Sequence, residues 1–473
     1  MSADFDLLVV GNETEACLSA IAAARAGAKT GLVISLDAML GGLLTEDGLS
    51  FVDRDARHLL PPSESPHDGL FGQFLDKAQV KLVALEPGMG DRTLATMLAE
   101  AGVTILRQAW SSVVTEGRHL RALIMSTGEA LTARHFLDAT PDGDLAEAAG
   151  VRFTFAFHEY GIPKALGISP LPIVRGVSPE RIVETCMRLA EDPSLDSLRE
   201  KVFGERRFLD LDHGVDYVLI GPPHLGLAYQ RWREASNIAF PYRFEADGFN
   251  VAVTGPDTTS WNGLMYFSED AETLLRLSRT GADAIFKQEA HHFETFLQAE
   301  LGWTDAKVDL PWGVYVRQTR HALDVRQRLS LDALTQADSA ERIGSFCYYP
   351  DFRGFHAPKL PGPLTAPILL GPGLASNLLN LGIASRAAGY TPFAHSLCRL
   401  VQYNATLGTA LGVAASLAED DLGEVSVADI RRELERQGIL ADDPTGFERN
   451  AAVRQAMQAD AVIRMEGARI AAG

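Results

Sequence analysis

The chain opens with an apolar run, Phe5 to Val10, that stops at Gly11. A short run without polar alternation predicts a strand buried on both faces. Thr14 to Ala26 follows, rich in alanine and closed by Gly27, and reads as a helix. Thr30 to Ile34 is a second apolar strand. Strand, tight turn, helix and strand within about thirty residues make a right-handed, parallel βαβ unit. Asp53 to Gly69 collects Pro, Ser, Asp and His and reads as a surface loop. Beyond it the pattern predicts a helix over Asp91 to Ala101 and a strand over Val103 to Arg107. A hairpin is expected from Val113 to Thr115 and Leu120 to Ser126, turning at Glu116-Gly117, and a further strand from Thr132 to Asp138.

From about residue 151 the texture changes: prolines, aromatics and short strands alternate with helices. Asp270 to Ala299 reads as one long, largely polar helix. From about Pro367 short apolar strands and Ala/Gly-rich helices return. The expected fold class is α/β. A discontinuous first domain of residues 1–150 and 361–443 receives an inserted α+β domain over 151–360, and a helical tail spans 444–473.

The 473 residues suffice for two or three ordinary domains. A formal net charge of −19 repels nucleic acid and anionic lipid and so argues against either as a partner. Cys17, Cys186, Cys347 and Cys398 form no C-x-x-C, which argues against a disulfide framework, a thiol redox pair or a cysteine zinc site and fits a cytoplasmic location. The N-terminus lacks a basic and apolar secretory pattern. The longest nearly apolar run, Ala405 to Ala418, is too short to span a membrane. No metal site is expected, since His291 and His292 are neighbours that point about 100° apart on a helix and carry no ligand spacing. G-x-S-x-G and G-x-x-x-x-G-K-[ST] are both absent, which disfavours hydrolase and kinase chemistry.

The first turn reads Gly11-Asn12-Glu13-Thr14-Glu15-Ala16. In a G-x-G-x-x-G turn the first glycine makes the bend, the second lets the backbone approach a pyrophosphate, and the third packs helix on strand. Here the first is kept and the third is alanine, but the second is Glu13. Other segments add to this turn: "AAARAGAKTGLV" from Ala22, "LGGLLTEDGLS" from Leu40, "FLDATPDGDLAEAAG" from Phe136, "VYVRQTR" from Val314, "NLLNLG" from Asn377, then Arg399 and "GTALGVAA" from Gly408. In that order they resemble the bacterial FAD-dependent oxidoreductases with a glutathione-reductase-type flavin domain.

The resemblance implies a Rossmann-type FAD-binding domain with an inserted substrate domain, FAD as cofactor, and hydride transfer from a small organic substrate to the flavin. It places Gly11, Asn12, Glu13, Ser35, Gly41, Gly42, Val113, Asp142, Asp144, Gly382, Gly408 and Gly412 at the cofactor. Four positions depart from the family's pattern. Glu13 replaces the second glycine, Ile34 replaces the ribose-binding glutamate, Pro141 replaces a glycine after Ala-Thr, and Ile383 replaces the arginine of the closing Ala-Gly-Arg. Asn12 and Glu15 make a plausible capping box that would satisfy the helix donors internally. A carboxylate beside a pyrophosphate repels it by about 1–4 kcal/mol per pair at 4 Å. These changes predict FAD held weakly, with a shifted pyrophosphate, or lost; with both glutamates turned to solvent, binding would be retained. A cofactor-poor binding module or subunit is therefore the alternative to the enzyme, and an NAD(P)-linked dehydrogenase a third reading.

On the substrate side, Arg317 and Arg320 could clamp a carboxylate or stabilise charge on a reduced flavin, or belong to an ion-pair network. His395, just before the closing helix, could donate a proton or simply pack. Gly408 and Gly412, four apart, share a helix face that meets the flavin, another helix, or both. The tail is a candidate for homo-oligomer contacts.

Overall fold

The computed structural model describes residues 3–56, 68–203, 211–221, 224–311, 313–335, 341–352 and 360–459. The chain begins β1 (Phe5–Val10), α1 (Thr14–Arg25), β2 (Thr30–Ile34), α2 (Gly69–Lys77), α3 (Pro87–Ala101) and β3 (Thr104–Arg107). Next come β4 (Trp110–Glu116), β5 (His119–Met125), β6 (Ala130–Asp138) and the short α4 (Asp144–Ala148). Helix α3 starts four residues before the expected Asp91 because Pro87 holds its first position and the Glu86 carboxylate accepts from the Gly88 and Met89 N–H groups.

These strands form a sheet in the order β3-β2-β1-β6-β5-β4. The first four are mutually parallel, with Leu7 opposite both Thr30 and His135, and β5 and β4 add antiparallel. A late strand, described below, runs parallel to the upper half of β6. All of β1 except Asp6 is buried. This is the burial that its uninterrupted apolar run predicts for a parallel sheet covered on both faces.

The middle of the chain carries β7 (Phe153–Phe155), β8 (Ile168–Pro170), β9 (Ile173–Arg175), α5 (Pro179–Glu191), α6 (Asp196–Phe203), β10 (Leu211–His213) and β11 (Tyr217–Ile220). It continues through α7 (His224–Ala235), the long hairpin β12 (Arg243–Gly255) and β13 (Thr258–Phe267), α8 (Ala271–Thr280), α9 (Ala284–Ala299), β14 (Lys307–Asp309), β15 (Val314–Val316) and β16 (Arg320–Ala322). Eight of these strands form one antiparallel sheet centred on β12 and β13. Its core holds a buried ion pair: Arg233 Nη1 lies 2.9 and 3.0 Å from the two Glu289 oxygens, and the Tyr266 hydroxyl donates to the same carboxylate.

The single helix expected over Asp270 to Ala299 is two. Helix α8 ends at Gly281, which has φ +71°. The Asp283 carboxylate then accepts from the Ile285 and Phe286 N–H groups and starts α9. Asp270 caps α8 in the same way through the Thr273 N–H.

The chain closes with β17 (Arg342–Tyr348), β18 (Leu364–Leu369), β19 (Leu381–Ile383), α10 (His395–Cys398), α11 (Val401–Leu417), α12 (Val427–Arg436) and α13 (Asn450–Ala459). Strand β19 is the late strand that joins β6. Helix α11 is apolar on nearly every face, as a helix enclosed by the core must be. It packs along α1, where a Cβ on Gly408 would meet Ser19 Oγ and one on Gly412 would collide with the Ser19 carbonyl. The tail is tied in at its start: the buried Asn450 side chain accepts from the Thr365 N–H at 3.0 Å and donates to its carbonyl at 2.7 Å. Most of the Asp53–Gly69 loop and the last fourteen residues lie outside the described residues. No helix among the described residues is long and apolar enough to cross a membrane.

Candidate functional site: an acidic nucleotide-type cleft and a neighbouring arginine pocket

Strand order reverses between β1 and β6, and loops leaving the carboxyl ends of β1, β2 and β6 diverge there. That is where open α/β sheets bind ligands. A cleft of about 810 Å³ lies at this point. Its walls are Gly11 to Glu13, Ile34 to Ala38, Gly42 with Glu46 and Asp47, Gln108 to Trp110, Thr140 to Asp142 with Asp144, and Ser278 with Arg279.

Gly11 makes the bend at φ +127°, where any Cβ would strike the Ala139 carbonyl. Asp138, at the end of β6, holds the next turn: its carboxylate accepts from the N–H and hydroxyl of Thr140 and from the Ala146 N–H. Burial raises Asp138 to about 6 in spite of those donors.

Glu13 is the N-cap residue of α1, yet its side chain makes no capping hydrogen bond. It folds across the bare α-carbon of Gly42, and Oε2 accepts the Leu43 N–H at 3.0 Å. The expected capping box does not form. Asn12 instead donates to the Met39 carbonyl at 2.9 Å and to Glu46 Oε2 at 2.7 Å. Nor do the glutamates face solvent, since Glu13 and Glu15 are both buried. The reason is long-range: the Gly41-Gly42 segment closes over the turn and offers a donor that sequence spacing cannot reveal. Burial, with the charges of Glu46 and Asp142, raises Glu13 to about 7 against the pull of the Leu43 N–H and Arg386. Burial, helped by the Glu13 charge, lifts Glu15 well above the carboxylate range and Asp47 to about 8. Glu46 and Asp144 are also raised, chiefly by burial.

Two arginines temper this acidity. Arg386 donates to Asp142 Oδ1 at 3.2 Å and to Ser278 Oγ at 2.6 Å, and Arg279 pairs with Asp144 at 2.6 Å. Arg320 adds a third cation behind the wall, bonding the Asp142 carbonyl, Asp144 and Glu147. Its surroundings are those of an ion-pair network that fixes α4.

The structure brings Gly11, Asn12, Glu13, Ser35, Gly42, Asp142 and Asp144 to one cleft, with Gly41 directly behind, its N–H on the Asn12 carbonyl at 2.7 Å. Other expected contacts lie elsewhere. Val113 faces Leu123 across the β4–β5 ladder, and the preceding Gln108 to Trp110 line the cleft instead. Gly382 sits on β19, where a Cβ would strike the Leu137 side chain, and Gly408 and Gly412 serve the α1–α11 contact. Glu46, Asp47, Arg279 and Arg386 were not read from the sequence as site residues. Only the acidic "TED" after the glycine pair hinted at the first two.

A second pocket, of about 250 Å³, lies between the antiparallel sheet and the segment after β17. The buried Arg317 donates to the Gly167 carbonyl, Ser169 Oγ and Asn262 Oδ1, each at 3.0 Å, and its guanidinium lies 4.5 Å from the centre of the Tyr315 ring. Arg399 lies 5.8 Å from the same ring, donates to the Tyr315 hydroxyl and pairs with Asp351. The Tyr348 hydroxyl donates to Asp53 at 2.7 Å. His395 is behind this pocket: Nε2 lies 2.8 Å from the Arg317 carbonyl, and the ring packs edge-on against His321 at 4.6 Å. Burial, with His321 beside it, holds His395 well below its usual range, so it stays neutral.

A parallel sheet with a glycine bend at its switch point and a second, antiparallel sheet define a mixed α/β protein of the Rossmann-type flavoprotein class. A family model for FAD-dependent oxidoreductases matches residues 6–434, and the chain belongs to that family. Its fold is also similar to three solved proteins. A geranylgeranyl bacteriochlorophyll reductase-like protein from Thermoplasma acidophilum is 13% identical over 97% of this chain and 89% of that one, with a TM-score of 0.42. The flavin-dependent brominase Bmp2 is 10% identical over 97% and 92%, TM-score 0.43. The anhydrotetracycline hydroxylase OxyS from Streptomyces rimosus is 12% identical over 96% and 72%, TM-score 0.40.

The family cofactor is a flavin, by norm FAD, and the cleft has the place and size for a dinucleotide. Its residues do not fit the diphosphate. The Glu13 carboxylate lies where the backbone would approach a pyrophosphate and holds the Leu43 N–H that would face it. Pro141 brings no N–H to the wall, and the buried, apolar Ile34 offers no acceptor to a ribose.

Proposed function

We propose that the protein binds a small organic acid in the pocket formed by Tyr315, Arg317 and Arg399, on a flavoenzyme scaffold whose own dinucleotide cleft is closed to a diphosphate. The carrying observation is a pair of guanidiniums, 4.5 and 5.8 Å from the centre of one tyrosine ring, in a polar pocket that also holds Asp53 and Asp351. Guanidinium forks match carboxylate geometry, and hydrogen bonds to charged groups are about twice as strong as neutral ones. Asn250 and Asn262 supply further polar groups for the body of such a ligand. His395, bonded to the Arg317 carbonyl, acts as a positioning residue for the segment after β15 that carries Arg317. The test is calorimetric titration with a panel of small mono- and dicarboxylates, on the wild type and on Arg317→Ala. Binding that is lost in the variant supports the reading. A panel that binds nothing, or binds both proteins alike, refutes it.

A second reading follows the family: an oxidoreductase that transfers hydride from a small organic substrate to FAD. It is favoured by one observation, the survival of an open cleft framed by Gly11, Ser35, Gly42, Asp142 and Asp144. A yellow purified protein absorbing near 450 nm would favour this reading over the first.

A further inference from the structure

We propose that the Glu13 carboxylate is a resident occupant of the diphosphate seat, and that it excludes FAD and other dinucleotides from a cleft otherwise shaped for them. Three features of the structure carry this. Glu13 stands at the one position of the turn whose usual glycine exists to let a pyrophosphate come close. Its side chain does not turn away but folds inward across Gly42, where a Cβ would collide with the carboxyl group. The missing side chain of Gly42 and the added side chain of Glu13 are thus a matched pair. The carboxylate also accepts the Leu43 N–H at 3.0 Å, so a backbone donor that could meet an incoming anion is already spent on an internal one.

The surroundings strengthen the exclusion. Glu46 and Asp47 stand on the same wall, Asp142 faces them, and Glu15 lies behind Glu13 on α1. On the other side Arg386 is turned to Asp142 and Ser278, and Arg279 to Asp144. A diphosphate entering here would have to displace the Glu13 carboxylate and settle among further carboxyl groups.

The test uses the full chain in three forms, wild type, Glu13→Gly and Glu13→Gln, titrated with FAD at pH 7.5 and followed by flavin fluorescence. Riboflavin, which lacks the diphosphate, is the control ligand. The wild type is expected to give no response to FAD up to about 1 mM. Glu13→Gly, which removes both charge and volume, is expected to bind FAD roughly five- to a thousandfold more tightly, the span set by one like-charge contact at 4 Å. Glu13→Gln keeps the volume and the acceptor for Leu43, so it should recover only part of that gain. Riboflavin should not discriminate among the three.

A wild type that purifies with stoichiometric FAD, or binds it as tightly as the glycine variant, overturns the proposal. So does a folded Glu13→Gly protein that is as unresponsive as the wild type. Should Glu13→Gly fail to fold by circular dichroism, Glu13→Ala carries the same comparison. A wild type that holds FAD would also favour the oxidoreductase reading, whereas carboxylate binding at Arg317 is measured separately by calorimetry, so the two failures are distinguishable.

Discussion

Replacing Glu13 by Gln tests the buried carboxyl group through stability, without any ligand. The amide keeps an oxygen for the Leu43 N–H and loses only the titration. In the folded chain the carboxyl titrates at about 7, against an ordinary value of 4.5, chiefly because it is buried. Between those two values the folded state holds a proton that the unfolded state has released. Wild-type stability therefore falls as pH rises through this window, and the loss is complete above about 7. Each tenfold difference in proton affinity is worth about 1.4 kcal/mol, so the whole interval is on the order of 3 kcal/mol. For 473 residues, at about 2 cal/mol/K of unfolding entropy per residue, this is ~3 °C in Tm. The assay is thermal denaturation of both proteins from pH 5 to 8.5. Glu15, Asp47 and Asp138 titrate in both, so only the difference between the curves reports Glu13. The gap should widen with pH, with Glu13→Gln the more stable at pH 8. Parallel curves would show that the carboxyl is not held as described and would refute the reasoning.

Other parts of the molecule make equally definite demands. Gly412→Ala drives a Cβ into the Ser19 backbone and must push α11 off α1; a loss of about 1–3 kcal/mol in urea unfolding is expected, and an unchanged midpoint would mean that the two helices are not in close contact. Glu289→Ala strands the Arg233 guanidinium among Tyr229, Phe240 and Tyr266, with both partners of the original pair nearly inaccessible to solvent. Its cost should be about 3–5 kcal/mol, and a loss below 1 kcal/mol would show that water reaches the site.

The opening βαβ unit could be read directly, because its apolar runs are short, its helix has Gly27 after it, and β1 is buried on both faces. The division of Asp270 to Ala299 was also present in the sequence. Gly281 and Asp283 are an ordinary stop and an ordinary start, and the continuous polar face masked them. The direction of Glu13 was not legible. It depends on Gly42 and Leu43, about thirty residues away, and a capping box with Asn12 was locally just as reasonable. Arg386 and Arg279 escaped notice because neither belongs to a motif, and only tertiary structure brings them to Asp142 and Asp144. Gly408 and Gly412 were left between a flavin contact and a helix contact, and the structure shows the second, against Ser19 on α1.

Three of the four departures from the family pattern fall in one place; the fourth, Ile383, is buried on β19, outside the cleft lining. Glu13, Ile34 and Pro141 all line the same cleft, and each removes a different means of holding a dinucleotide. Glu13 takes the space and a donor, Ile34 withholds an acceptor, and Pro141 brings no N–H. Residues that shape the scaffold are kept. Gly11 still bends where no side chain fits, and Asp138 still ties the turn after β6 through three donors. The cost falls on the protein itself, which keeps Glu15 and Asp47, the latter raised to about 8, largely protonated near neutrality, while Glu13, at about 7, becomes a carboxylate just above it. The Leu43 N–H, donated to Glu13 across the bare α-carbon of Gly42, is what holds that carboxyl group in place once it ionises.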